Sequence, residues 1–358
     1  FPSTDATKGV GGRVGEISSI SYFGRVGYTF DNRYNIMVNF RADAFDRSKL
    51  SKEARWGYFP SVSAGWTISN ERFMRDIDPK IISFLKLRAS YGVNGNISAL
   101  GAFMYSSSMS VGDYYPMNGS LVSTVYPSDV LANPDLKWEK STEFNIGLDW
   151  SLLSDRLSGT IDVYHKKTTG MLWNYDVPCP PNLYPTTLAN VGEMRNEGIE
   201  IAVNGVPVKT RDFQWKTTVT LSHNANKLLS LSNSLYQTAN QHDEAVLGEP
   251  ISLSTQRLEV GKPLGQWYGM KVTGVSDNGL WMVQNKTTGK SEEFTDNMLT
   301  DDTYHQYLGN AIPKVNLGWS NTLSYKGFDL TMQFTGQLGY KILNEARAFY
   351  QNNAEVYN

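Results

Sequence analysis

The stretch that decides the fold reads ISSISYFGRVGYTF (17–30), RYNIMVNFRADA (33–44) and WGYFPSVSAGWTI (56–68), three segments in which apolar and polar residues alternate. Ile20, Tyr22, Val26, Tyr28 and Phe30 fall on one face of the first, and Ser19, Ser21, Arg25 and Thr29 on the other. In the second, Tyr34, Ile36, Val38, Phe40 and Ala42 oppose Asn35, Asn39, Arg41 and Asp43; in the third, Trp56, Tyr58, Val62, Ala64, Trp66 and Ile68 oppose Ser61, Ser63 and Thr67. A period of two marks extended strands, whose successive side chains leave opposite faces of a sheet. Each segment is about 10 to 13 residues long, against roughly 5 to 6 for a common globular strand. At about 3.3 Å per residue and a tilt near 45° it rises roughly 25 to 30 Å, the thickness of a bilayer core.

Alternation alone also suits a soluble sandwich, which buries its apolar face. Aromatic placement separates the two. Trp56, Tyr58 and Trp66 lie near the ends of one apolar face, and Tyr28, Phe30 and Tyr34 flank one turn, as the girdles of a transmembrane barrel require.

Composition agrees. Across 358 residues the formal net charge is −2 with no long basic run, so nucleic acid is not an expected partner. No stretch approaches the 18 or more apolar residues of a membrane helix, but a barrel escapes that test because every second residue is polar. The single cysteine, Cys179, has no partner for an internal disulfide and reads as incidental. Gly9, Gly11, Gly12 and Gly15 fit neither the dinucleotide nor the phosphate-loop spacing and read as a flexible loop. No charged segment followed by an apolar one succeeds Phe1, so the expectation is a trimmed chain or a fragment without a signal peptide.

Seven more strands are expected. Leu85 to Val93 forms the fourth, Trp138 to Trp150 the fifth, Leu157 to Val163 the sixth, Ile199 to Val203 the seventh, Phe213 to Leu221 the eighth, Val315 to Tyr325 the ninth and Phe328 to Tyr340 the tenth. Trp173, Tyr175, Pro178 and Tyr184 are placed in a loop, and the largest excursion, Asn224 to Pro313, is expected to hold a hairpin around Gln266 to Val283. Short links follow strands one, three, five, seven and nine, and long ones follow two, four, six and eight. Outer-membrane barrels show this asymmetry, with short periplasmic turns and long extracellular loops.

Several blocks are familiar as they stand: Tyr22-Phe23-Gly24-Arg25, Asp31-Asn32-Arg33-Tyr34, WGYFPSVSAGW (56–66) with Ser69-Asn70-Glu71, and FLKLRASYG (84–92) with Gly95-Asn96. NPDLKWE (133–139), NVGE (190–193), NEGIE (196–200) and Ile312-Pro313-Lys314 follow in order. Together they closely resemble the SusC/RagA family of TonB-dependent outer-membrane transporters of Bacteroidetes. Arg41-Ala42-Asp43-Ala44-Phe45 only approximates the family's Arg-Asp-Gly-Ser-Ser. The resemblance implies an all-β fold, an antiparallel transmembrane β-barrel segment of about 10 of about 22 strands with long extracellular loops. Residues 1–358 would belong to one barrel domain, with the plug, the first strands and the last strands absent. It further implies import of oligosaccharides or peptides across the outer membrane, a SusD-like lipoprotein as partner, and energy from the TonB complex through the missing plug segment.

No catalytic or metal site and no cofactor is expected. His165, His223, His242 and His305 are scattered without metal spacing. Glu139 and Glu143 lie four residues apart on one strand face, roughly 13 Å, beyond the separation either glycosidase mechanism uses. Glu193 and Glu197 fail in the same way if extended, and these charges read as lumen-facing. The outward aromatics Tyr114, Tyr115, Trp173, Tyr175, Tyr184, Trp267 and Tyr268 are the candidate ligand or partner contacts. The alternative reading is a secreted carbohydrate-binding or degrading β protein.

Overall fold

The structure, a computed structural model, describes residues 18–46, 48–107, 109–127, 131–178, 184–248 and 251–350. The glycines before residue 16, Cys179 and Pro180 lie outside the described residues. In chain order the strands are β1 (Ile20–Phe30), β2 (Tyr34–Ala44), β3 (Trp56–Thr67), β4 (Ile82–Asn96), β5 (Met109–Met117), β6 (Ser120–Pro127), β7 (Glu139–Leu152), β8 (Leu157–Asp176), β9 (Thr186–Lys209) and β10 (Phe213–Ser230). The excursion then carries β11 (Gln241–Val246), β12 (Ser254–Glu259), β13 (Gln266–Met270), β14 (Val272–Val275), β15 (Trp281–Gln284), β16 (Ser291–Glu293) and β17 (His305–Asn310). β18 (Val315–Tyr325), β19 (Phe328–Leu338) and the short helix α1 (Glu345–Tyr350) follow.

All ten expected strands join one antiparallel sheet in the expected order, β1-β2-β3-β4-β7-β8-β9-β10-β18-β19. Register carries the alternation across it. Val38 lies opposite Val26 and Val62, Tyr91 opposite Val62 and Phe144, Val163 opposite Ile146 and Ile199, and Leu221 opposite Ile201 and Leu317. One apolar band therefore crosses every strand. Ile36, Val38 and Phe40 are 51, 49 and 48% exposed, so this face is no soluble core, and a patch so extended belongs against lipid. The other face is polar and knitted together: Arg25 donates to Asn39 and Asn39 to Ser61, while Arg88 on β4 grips Asp149 on β7 and Asp162 on β8.

Left-handed turns close the first and the last of the short links. Asp31 and Asn32 (φ 50° and 48°) reverse the chain between β1 and β2, and Lys326 and Gly327 (φ 45° and 89°) do so between β18 and β19. Such turns match the twist of the strands they join. Beside the first, Glu71 accepts from Tyr34 Oη at 2.5 Å, Arg33 Nη1 at 2.9 Å and Trp66 Nε1 at 3.0 Å, pinning β2 to β3. Those donors, Tyr34 first, pull its carboxyl down to about 2.

Three expectations need correction. β8, β9 and β10 run to 20, 24 and 18 residues, well beyond the apolar band, so Trp173 and Tyr175 stand on β8 rather than in a loop. Glu193 and Glu197 share the outward face with Ile199, not the lumen face, because the even spacing continues unbroken from 193 to 199. The hairpin expected around Gln266 to Val283 forms over its second part alone: β14 pairs with β15 around Gly279 (φ 79°), whereas β13, which holds Gln266, pairs with β12 and β17. The chain changes sheet at Lys271, between β13 and β14. The excursion thus folds as a four-stranded and a three-stranded sheet.

Single cysteines placed at Ile36 and Val38, in protein lacking Cys179, should react with a membrane-phase reagent and resist a water-soluble maleimide, with Asn39 behaving oppositely; lumen reactivity at 36 and 38 would reverse the faces. Because the Glu71 carboxyl is depressed from its ordinary 4.5, its stabilising contribution is full above that value and is lost as pH falls toward about 2. The urea midpoint of the wild-type protein should therefore drop over that window by more than the midpoint of Glu71→Gln.

Candidate functional site

Parity places Phe23, Arg25, Arg41, Phe59 and Glu143 on the lumen face, near the loop-bearing end. Phe23 lies opposite Arg41 and Arg41 opposite Phe59, giving a row in which one guanidinium is flanked by two aromatic rings. Together with Asn39, Asn94 and Glu143 they line a groove of about 510 Å³. Phe23 is 80% exposed at the groove. Phe59 is held: its ring meets Trp138 edge-on at 5.3 Å, over Gly57 and Gly95. A Cβ on Gly95 would come within 2.2 Å of that ring, so both glycines are the socket for it. Arg41 is aimed by Nε donating to Asp43 at 2.7 Å and Nη2 to Ser21 at 3.0 Å. Glu143 faces Lys166 at 4.0 Å. The exposed Phe23 ring beside fixed donors and a carboxylate can stack on and hydrogen-bond a polar solute.

The seven aromatics expected in the outward loops do not converge. Tyr114 and Tyr115 are exposed on the β5–β6 hairpin, which turns at Asn118-Gly119 and pairs with no other strand among the described residues. Trp173 lies 5.2 Å from the His242 ring, tying β8 to the excursion. Tyr175 is 1% exposed, packs on Tyr236 at 5.3 Å and donates to the Leu231 carbonyl at 2.5 Å. It is core, and a ligand has no access to it. Tyr184 is half-buried. Trp267 donates Nε1 to the Lys341 carbonyl at 2.8 Å.

Tyr268 belongs to the polar hub of the four-stranded sheet. The Arg257 guanidinium lies 3.7 Å from its ring centroid and is gripped by Asp243 through Nε at 2.6 Å and Nη2 at 2.8 Å. Tyr268 Oη and Lys286 Nζ both donate to Asp302, at 2.5 and 2.6 Å. Lys286 first, then Tyr268, hold the Asp302 carboxyl at about 2, while burial and the bond to Asp302 push the Tyr268 phenol up. These groups satisfy one another and shape the excursion. Among the described residues no three His, Cys, Asp or Glu side chains gather as a metal would require.

Residues 2–276 match the protein family described as TonB dependent receptor-like, beta-barrel. The chain belongs to that family. It is 30% identical over 344 residues to the TonB-dependent receptor SusC of Bacteroides thetaiotaomicron, covering 94% of this chain and 32% of that protein. It is 31% identical over 345 residues to TonB-dependent receptor P26 of Formosa agariphila, covering 94% and 33%. The solved RagAB peptide transporter superposes with a TM-score of 0.76 at 25% identity over 93% of this chain and 35% of that one. The chain thus spans about a third of the length of these relatives. As a TonB-dependent receptor barrel of the SusC/RagA type, it is an outer-membrane protein, and the secreted reading falls.

Within the receptor barrel, sequence reasoning missed Phe23 and Phe59 as lumen groups. The signal was present: both are aromatic residues out of phase with the apolar face of their strands. Gly95→Val should displace the Phe59 ring at about 1 to 3 kcal/mol, the range for overfilling a packed site, read as a lower urea midpoint, while Gly24→Ala, with open space around its Cβ, should leave it unchanged.

Proposed function

We propose that this chain supplies wall and outward loops to an importer of oligosaccharides or peptides that works with a SusD-like surface lipoprotein and is energised through TonB. In this reading residues 1–358 are part of one larger barrel domain that does no bond chemistry. The observation that carries it is the pairing of a lipid-suited apolar band with a lumen groove in which Phe23, Arg41 and Glu143 stand ready for a polar solute. β1 and β19 each have one strand partner among the described residues, and further strands would satisfy their free edges in lipid. The family's receptors span this membrane, and the RagAB relative transports peptide, which favours solute passage over attachment or catalysis.

The excursion supports the partner. Its three-stranded sheet exposes Val272, Val275, Leu280 and Trp281, the last at 60%, whereas Leu258, Trp267, Tyr268 and Met282 are folded into the excursion itself. Apolar groups left uncovered on a structured lobe suit a protein lid.

In full-length protein, Phe23→Ala should weaken binding of the transported solute by about tenfold while leaving assembly intact; unchanged binding would remove the groove from the transport path. Replacing residues 271–303 by a short linker keeps β13 beside β17. It should abolish co-purification of the lipoprotein, and an intact complex would place the lid elsewhere. Protease added to intact cells should cut near Lys49, Pro116 and Glu244 and spare Asn32, Asp155, Arg211 and Gly327; the converse would invert the orientation.

A further inference from the structure

Beyond the apolar band, at the loop-bearing end, the outward face of β7 to β10 changes character over two rows. Phe144, His165, Glu197 and Ala225 are register partners in the first row; Thr142, Lys167, Arg195 and Lys227 are partners in the next. Adjacent strands lie about 4.8 Å apart, and rows on one face follow at about 6.8 Å, so three cations stand side by side two rows above Ile146, Val163 and Ile199. Like charges placed directly opposite destabilise a sheet. The carboxylates nearby relieve this only in part. Lys167 reaches Glu193 at 2.8 Å, and Arg195 shares Glu197, at 3.5 Å, with His165, at 2.8 Å. Lys227 is exposed and has no ion pair among the described residues, and Lys140 adds a fourth cation one row further out. Four cations thus stand against two carboxylates.

Directly below, the same face holds a groove of about 420 Å³ floored by Phe144, Ile146, Val163 and Ile199, bounded by His223 and Ala225, with the His165–Glu197 pair at the rim next to the cations. An apolar trough ending under a row of cations at headgroup depth has two halves of one chemistry, an acyl chain and a phosphate. A second copy of this face would set cation against cation and is disfavoured.

We propose that the outward face of β7–β10 holds a phosphorylated glycolipid of the outer leaflet, its phosphate between Lys167, Arg195 and Lys227 and an acyl chain in the groove below. The phosphate relieves the like-charge row, and the lipid seals the wall where β8, β9 and β10 continue out of the band. The choice of leaflet rests on the orientation proposed above, which the protease experiment reads independently.

The test uses full-length protein purified in non-ionic detergent, stripped of lipid, and offered bis-phosphorylated lipid A or the same glycolipid without its phosphates, with retention read by native mass spectrometry. Wild-type protein should keep the phosphorylated form, and combined Lys167→Gln, Arg195→Gln and Lys227→Gln should lower its affinity by roughly tenfold or more. Lys167→Arg with Lys227→Arg should keep it, which separates loss of charge from loss of fold, and Lys227→Gln alone should weaken it if the triple variant does not assemble. Equal retention by the triple variant, equal retention of the phosphate-free glycolipid, or displacement by millimolar inorganic phosphate would each overturn the proposal.

Discussion

In hydrocarbon a backbone amide finds no water, so every N–H and C=O of a spanning segment must be met by another backbone group. That constraint governs the rest of this structure. It forces the ladder of β1 to β4, β7 to β10, β18 and β19, and the ladder fixes which side chains stand together. Once the register is set, the strand period of two separates Val38 from Asn39 onto opposite faces without further instruction. Lipid then selects one face, and water and solute the other.

The wall was legible for this reason. Its ten strands follow from alternation, aromatic placement and the parity of the links, all of which are local and obey one rule. What lies outside hydrocarbon obeyed no such rule. β8 and β9 continue into water, where their faces pack against loops, so Trp173 and Tyr175 are flanked by Pro178 and resemble loop while forming strand. Glu193 and Glu197 resembled lumen charges because polarity alone does not distinguish a wet channel from the layer above the lipid; register does.

The site was less legible than the wall. The groove depends on Phe23 and Phe59 standing out of phase and on Gly57 and Gly95 leaving room, a relation between three strands that no single segment displays. The aromatic residues chosen from composition went in several directions: Tyr175 into a core, Tyr268 into an ionic hub, Tyr114 and Tyr115 onto an isolated hairpin. An aromatic side chain near a barrel mouth has too many good uses for its identity to reveal which one it serves.

The excursion between β10 and β18 also bears on how the sheet assembles. Most wall strands meet a neighbour a few residues away, whereas β18 must find β10 across the longest connection in the chain. Two prior contacts shorten that search. Leu228 exchanges backbone hydrogen bonds with Gly261 and Lys262, and Gln266 pairs with Asn310, so an excursion that folds first brings the start of β18 back beside the end of β10. Loop-closure entropy then applies to the few residues outside these pairings, and a wall of high apparent contact order can close as fast as a hairpin meander.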